Sequence, residues 1–354
     1  MKCNGDISTT RGFIDLQVNG FAGVDFNSPP ESTQAAHEDI ARAIRAVFST
    51  GVTRFFPTVI TGSRARMIAA LKHLAAARET FEDGLAMEAF HLEGPHISPD
   101  DGPRGAHPCE WVRPPDLDEF HRSQDAASGH IRLVTLSPEW PDAPRYIERL
   151  VDSGVVISIG HTRATPAQIR DAVSAGATLS THLGNGAHSS LPKTANYIWE
   201  QLADDRLAAS FIVDGIHLPE AFLRAALRAK GISRSILVTD AVMPALCSPG
   251  VYRLGEVEVE LKADQRVVLH TSAAGSSDRL AGSSLRMDRA IENVMRIAGV
   301  SLEDAIAMAT ENPARVARVP DRGDQVKFRC ADGRIEVLET RLAGRVVFAK
   351  QGSL

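Results

Sequence analysis

Seven ionisable side chains lie at or just past the ends of short apolar runs. His91, Glu93 and His96 share one segment, while His161, His182, His217 and Asp240 each belong to another. A carboxylate and two imidazoles gathered from such ends can supply three protein ligands to one metal ion. The fourth position is then left for water, the pattern of a catalytic rather than a structural site. Each residue also has an ordinary reading. A single His near a strand end commonly hydrogen-bonds its neighbours, Glu93 alone reads as a solvated loop carboxylate, and Asp240 alone as a helix cap. Together they resist assignment to packing, because buried charge is costly unless paired or metal-bound.

The elements that must position these groups alternate along the chain. Apolar, β-branched runs occupy 12–20, 53–61, 86–95, 131–139, 155–162, 178–185, 208–217 and 235–242. Nearly continuous apolar character means strands covered on both faces, as in parallel sheets. Helical patterns fill 32–50, 63–78, 142–153, 165–175 and 218–230. Thr165-Pro166-Ala167-Gln168 is a helix start, with a Thr cap, Pro at the first position and Gln at the third. Eight strands separated by helices predict an α/β fold, a (β/α)8 TIM-type barrel, ahead of a doubly wound sheet. The strand ends above would then converge on one face. Past the eighth strand the rhythm changes. Residues 251–271 alternate like a hairpin about the turn ADQR, helical patterns return at 284–298 and 301–310, and the chain is β-like from about 320. The expected organisation is a barrel over 12–319 with a hairpin insertion at 251–271, and a small β appendage from 1–11 plus 320–354. No tandem repeat or low-complexity tract interrupts it.

Composition narrows the function classes. The 354 residues are 44% hydrophobic and 23% charged, ordinary for a folded globular chain. With 39 Lys and Arg against 44 Asp and Glu, a net charge of −5 speaks against general nucleic-acid binding, which needs a basic face. Cys3, Cys109, Cys247 and Cys330 lie far apart without CxxC spacing. They suggest neither a disulfide framework nor a zinc ribbon and fit a reducing cytosol. The N-terminus lacks the apolar core of a signal peptide, and no run approaches the ~20 apolar residues of a membrane span. The expectation is a cytoplasmic protein. NGFAGVDFNSPPE, after the first strand, has no GxGxxG to wrap a pyrophosphate, which excludes a Rossmann dehydrogenase.

HLEGPHIS, SIGHT, STHLGN, DGIH, VTDA, LAGSSLRMD and ATENPAR follow one another in that order from His91 to Arg315. In this the chain resembles the N-acetylglucosamine-6-phosphate deacetylase family of the amidohydrolase superfamily, from Gly12 to about Arg315. The resemblance implies a (β/α)8 barrel with a small β domain, usually homodimeric. It implies hydrolysis of the acetamide of N-acetylglucosamine 6-phosphate, releasing acetate and the amino-sugar phosphate. Carried over position by position, it assigns one divalent metal per subunit to Glu93, His161 and His182. Zinc is expected first, with iron, manganese or cobalt also compatible. Asp240 becomes the proton acceptor and donor, and His107 the group beside the scissile amide. Ala106, His107, Asn185, Gly186, Asp214, His217 and Leu280-Ala281-Gly282 match substrate-contacting positions. The chemistry is coherent: a metal-activated water attacks the acetyl carbon, Asp240 passes its proton to the leaving amine, and His107 stabilises the oxyanion. No Ser or Cys nucleophile motif is present.

Two departures qualify the pattern. Two-metal amidohydrolases carry HxH on strand one and a Lys on strand four; here strand one reads Asp15-Leu16-Gln17-Val18-Asn19 and strand four, LVTLSPE, has no Lys. Neutral amides are weak ligands, so one metal is expected. Where the family usually offers an Arg for the substrate phosphate, often across to the neighbouring subunit, an ungapped count from His182 meets Lys193, which lacks the bidentate fork. Alternative readings follow: a deacetylase of an unphosphorylated or different N-acyl amino sugar, or a non-catalytic sugar-phosphate-binding barrel. Neither a nucleic acid nor a membrane is expected as partner.

Overall fold

The apolar runs form strands where both faces are covered, and most barrel strands are buried along their whole length. The computed structural model describes residues 3–28, 33–255, 257–270 and 279–351. The elements begin with β1 (Ile7–Arg11), β2 (Phe13–Val18), β3 (Gly20–Phe21), β4 (Val24–Asp25), α1 (Thr33–Phe48), β5 (Val52–Ile60), α2 (Arg64–Thr80) and β6 (Phe90–Glu93). Next come α3 (Leu117–Ala126), β7 (Ile131–Leu136), α4 (Ala143–Asp152), β8 (Val156–Ile159), α5 (Pro166–Ser174), β9 (Leu179–Ser180), α6 (Tyr197–Ala203), β10 (Ala208–Ile212), α7 (Glu220–Lys230) and β11 (Ser235–Val238). The remainder is β12 (Gly250–Leu254), β13 (Val257–Leu261), β14 (Val267–Leu269), α8 (Met287–Ala298), α9 (Leu302–Ala309), α10 (Glu311–Ala317), β15 (Gln325–Ala331), β16 (Arg334–Leu342) and β17 (Arg345–Ala349).

Eight parallel strands run in the order β11-β10-β9-β8-β7-β6-β5-β2, with helices between them. Residues just past β11 close the ring: Asp240 donates its backbone N–H to the Gln17 carbonyl at 3.0 Å, and Asn19 donates to Ala241 at 2.7 Å. This is the (β/α)8 barrel that the alternation of runs predicts. The Thr165 start of α5 is a complete capping box with Gln168.

Three expectations change. β9 and β10 are much shorter than the runs 178–185 and 208–217, because the chain turns inward at Thr181 and Val213 and spends the remaining apolar residues on loops facing the mouth. The insertion is not a two-stranded hairpin. β12, β13 and β14 make a three-stranded antiparallel sheet, with ADQR in the turn between the last two, while residue 271 lies outside the described residues. A third strand lets Leu254, Val259, Leu261 and Val267 form a small core with Val242 and Ala281, which a lone hairpin could not bury. Finally, Cys3 and Cys330 are joined by a disulfide, against the reading that no cysteine pairs; Cys109 and Cys247 are free. Spacing in sequence could not show it, because 327 positions separate two residues that β1 and β15 bring side by side. A separate four-stranded sheet, β1-β15-β16-β17, forms the appendage. Among the described residues, no helix is long and apolar enough to cross a membrane.

Candidate active site

The barrel places Glu93 as the last residue of β6 and His161, His182 and Asp240 each two residues past β8, β9 and β11. The last three have positive φ, +50°, +30° and +50°. This left-handed turn costs an L-residue of order 1 kcal/mol, and here it occurs at residues whose side chains line the barrel mouth. Glu93 Oε1 lies 3.2 Å from His161 Nε2 and 2.9 Å from His182 Nε2, and the two imidazole nitrogens are 3.1 Å apart. All three residues are buried.

The donor set fits a divalent cation. His161 Nδ1 lies 2.8 Å from the Pro103 carbonyl, a contact that requires the proton on Nδ1 and leaves the Nε2 lone pair directed at Glu93 and His182. Such outer hydrogen bonding is what orients a metal-ligating imidazole. A carboxylate and an imidazole lone pair directed at one point repel each other unless a cation lies between them. Two nitrogens and one oxygen suit zinc-like ions. Where a proton on the imidazoles takes the place of that cation, burial is outweighed by hydrogen bonds and charge from His161 and His182, which hold Glu93 well below the usual carboxylate range.

Asp240 stands beside this cluster. Its Oδ1 accepts N–H bonds from Gln17 at 3.0 Å and from Asn19 at 2.7 Å, and Gln17 also donates to Glu93 at 2.9 Å. Burial, helped by the Glu93 charge, raises its pKa to about 6. Beneath it Asp15 accepts from the Thr239 hydroxyl at 2.6 Å. The barrel strand β2, with Asn19 just past its end, therefore contributes hydrogen-bond donors to the carboxylates, a role distinct from weak metal ligation. The alternation Asp15-Gln17-Asn19, all polar on one face of an apolar strand, is the signal that points to it.

One open cavity of ≈190 Å³ joins these groups. Ala106, His107, Asn185, Gly186, His217, Leu280, Ala281 and Gly282 all line it. His107 packs edge-on against His161, ring centroids 4.5 Å apart, and burial first, then His161, lowers its pKa to about 3, so the ring is neutral. Gly186 has φ +54°, and a Cβ there would stand 2.7 Å from His161 Nδ1, so no larger residue fits. Asp214 lies behind the wall, where it accepts backbone N–H groups of Ile216 and His217 and holds His217 Nδ1 at 2.6 Å. Lys193 is exposed on the 188–195 segment, away from this chain's own cavity. His91 and His96 do not join the cluster. His91 is bonded to Thr135 at 2.7 Å and His96 to the Arg113 carbonyl at 3.1 Å, and burial lowers each to about 4. Val59, Ile60, Met67 and Ala70, with Leu254 and Val257 of the inserted sheet, also line the cavity. Sequence reasoning missed them because apolar residues carry no chemical signature.

Residues 10–326 match the amidohydrolase family. The N-acetylglucosamine-6-phosphate deacetylase of Bacillus subtilis is 32% identical over 346 residues, 95% of this chain and 84% of that protein. The N-acetylgalactosamine-6-phosphate deacetylase of a Shewanella species is 34% identical over 325 residues, 91% of this chain and 77% of that one. The crystal structure of N-acetyl-D-glucosamine-6-phosphate deacetylase from Mycobacterium smegmatis superimposes with a TM-score of 0.84 at 29% identity, over 97% of this chain and 88% of that one.

Proposed function

Because the chain belongs to the N-acetylglucosamine-6-phosphate deacetylase family of amidohydrolases, we propose that it hydrolyses the acetamide of N-acetylglucosamine 6-phosphate to glucosamine 6-phosphate and acetate. The observation that carries this reading is the convergence of Glu93, His161, His182 and Asp240 in one cavity, from four strands of the barrel. Glu93, His161 and His182 would hold one divalent ion, zinc first among iron, manganese and cobalt. When bound, such an ion polarises the amide and lowers the pKa of water.

The remaining steps belong to the protein. Gln17 and Asn19 occupy Oδ1 of Asp240, leaving Oδ2 to take the proton from the attacking water. The same oxygen then delivers it to the amine, a poor leaving group until protonated. Neutral His107 donates an N–H to the developing oxyanion. Asn185, Gly186, His217 and Leu280-Ala281-Gly282 contact the sugar, and Asp214 fixes the His217 ring. Lys193 is assigned to the substrate phosphate of a neighbouring subunit in a homodimer, a role its exposed segment permits. A phosphate ester does not cross a bilayer unaided, which supports a cytoplasmic site of action, although the Cys3–Cys330 disulfide is a bond that a reducing cytosol disfavours.

Acetate release tests the proposal. Metal-reconstituted protein is given N-acetylglucosamine 6-phosphate, its galactosamine epimer and unphosphorylated N-acetylglucosamine, beside a metal-free control. The expected result is metal-dependent turnover that favours a phosphorylated sugar. Equal rates on the unphosphorylated sugar would remove phosphate recognition, and the absence of turnover on all three would remove the activity.

A further inference from the structure

We propose that the cavity has a second, apolar arm that accepts N-acyl groups longer than acetyl, so that amino-sugar phosphates bearing short-chain acyl groups of about three to four carbons are also substrates. The inference rests on the deacetylase reading and concerns the acyl side of the same amide.

The two walls of the cavity differ in chemistry. On the side of β9 and β10 stand Asn185, Gly186 and His217, a polar surface suited to a sugar phosphate. On the side of β5 the wall consists of Val59, Ile60, Met67, Ala70, Leu254 and Val257, drawn from the end of β5, the first turns of α2 and the tip of the inserted sheet. The polar side chains along that second wall are committed elsewhere. Asn27 donates to the Thr58 carbonyl at 3.0 Å and accepts the Ile60 N–H at 2.8 Å. Arg66 donates from Nε to the Asn27 carbonyl at 3.0 Å and from Nη2 to the Ser28 hydroxyl at 3.4 Å, and the Thr61 hydroxyl donates to the Glu93 carbonyl at 3.4 Å. Apart from these bonded groups, the surface that this wall offers to a ligand is carbon.

The metal cluster and Asp240 line the same continuous cavity. A planar amide held at that point sends its amine substituent and its acyl substituent in opposite directions. With the sugar phosphate on the polar wall, the acyl carbon chain meets the apolar one. An acetyl methyl is a single carbon and leaves most of that wall uncovered, whereas each further methylene buried on it contributes about 0.8 kcal/mol. The reaction itself is unchanged. Water adds to the acyl carbon, the C–N bond breaks, the nitrogen leaves as the protonated amine, and the products are the amino-sugar phosphate and the straight-chain carboxylate.

The test is kcat/KM on the N-acetyl, N-propionyl and N-butanoyl derivatives of glucosamine 6-phosphate, with metal-reconstituted protein. Each methylene is expected to raise kcat/KM about threefold to fourfold, so the butanoyl compound exceeds the acetyl one about tenfold. Val257→Trp, which fills the arm from the inserted sheet, is expected to bring that ratio below one; Met67→Trp, from α2, is the second variant if the first fails to fold. A butanoyl-to-acetyl ratio below about three in the native protein overturns the apolar arm while leaving the deacetylase reading intact. A tenfold ratio that neither folded variant alters also overturns it, since the preference then arises elsewhere. Loss of turnover on every compound, acetyl included, overturns the deacetylase reading itself.

Discussion

Asp240 is held by its neighbours before any substrate arrives. Two amide donors fix Oδ1, and burial then the Glu93 charge raise its pKa to about 6. A base works only when deprotonated, so in the role proposed for Asp240 activity is expected to fall as pH drops through that pKa. A cation at Glu93, His161 and His182 favours the carboxylate and moves the fall lower. The metal-loaded enzyme is therefore expected to show an acidic limb in kcat/KM below pH 6. Asp240→Asn should retain metal by elemental analysis while losing about a thousandfold or more in kcat; an acidic limb above pH 7, or a variant with retained turnover, would contradict the role. At this scale much of the site was legible, because Glu93, His161, His182 and Asp240 end runs whose strand character is plain. Their partners were less so. Gln17 and Asn19 read as failed ligands until the fold showed their N–H groups turned onto two carboxylates.

Between the site and the barrel wall lies a loop from Gly94 to Asp116 that carries Ala106 and His107, and three elements anchor its far end. Arg113 donates to both oxygens of Glu119 on α3 at 3.0 Å and to the Gly62 carbonyl at 3.1 Å, while Arg64 at the start of α2 reaches the same carboxylate at 2.9 Å. Glu119 is buried and Arg113 nearly so. Removing one member leaves a charge without its partner, so Glu119→Ala is expected to cost about 3 kcal/mol, read as a lower denaturant midpoint with an unchanged slope; an unmoved midpoint would show the cluster to be idle. Element types and order followed from periodicity. The three-stranded insertion and the shortened β9 and β10 did not, since an apolar run looks the same whether it pairs in a sheet or turns inward to line a cavity.

At the scale of the whole molecule, the segment around β1 meets β15, from the far side of the barrel sequence. The Cys3–Cys330 disulfide spans 327 positions and joins the segment before β1 to β15 in the appended sheet. Closing so long a loop restrains the unfolded chain by about 6 kcal/mol on the chain-entropy account. Reductant is therefore expected to lower Tm by several degrees in the native protein and to leave Cys3→Ser unaffected at that same lower Tm. Equal Tm values with and without reductant in the native protein would show the bridge to be dispensable. The barrel and the polar groups at its strand ends were legible in the sequence alone, because hydrophobic period and residue chemistry are local properties, whereas the choice of Glu93, His161 and His182 among those groups came from the family resemblance. The amide donors on Asp240, the apolar wall opposite the polar one, the retreat of Asp214 and Lys193 from the cavity, and the disulfide were decided only by tertiary structure. The donors on Asp240 and the disulfide are contacts between residues far apart in the chain, and which side chains face the cavity depends on how distant elements pack around it, which nothing local in either partner records.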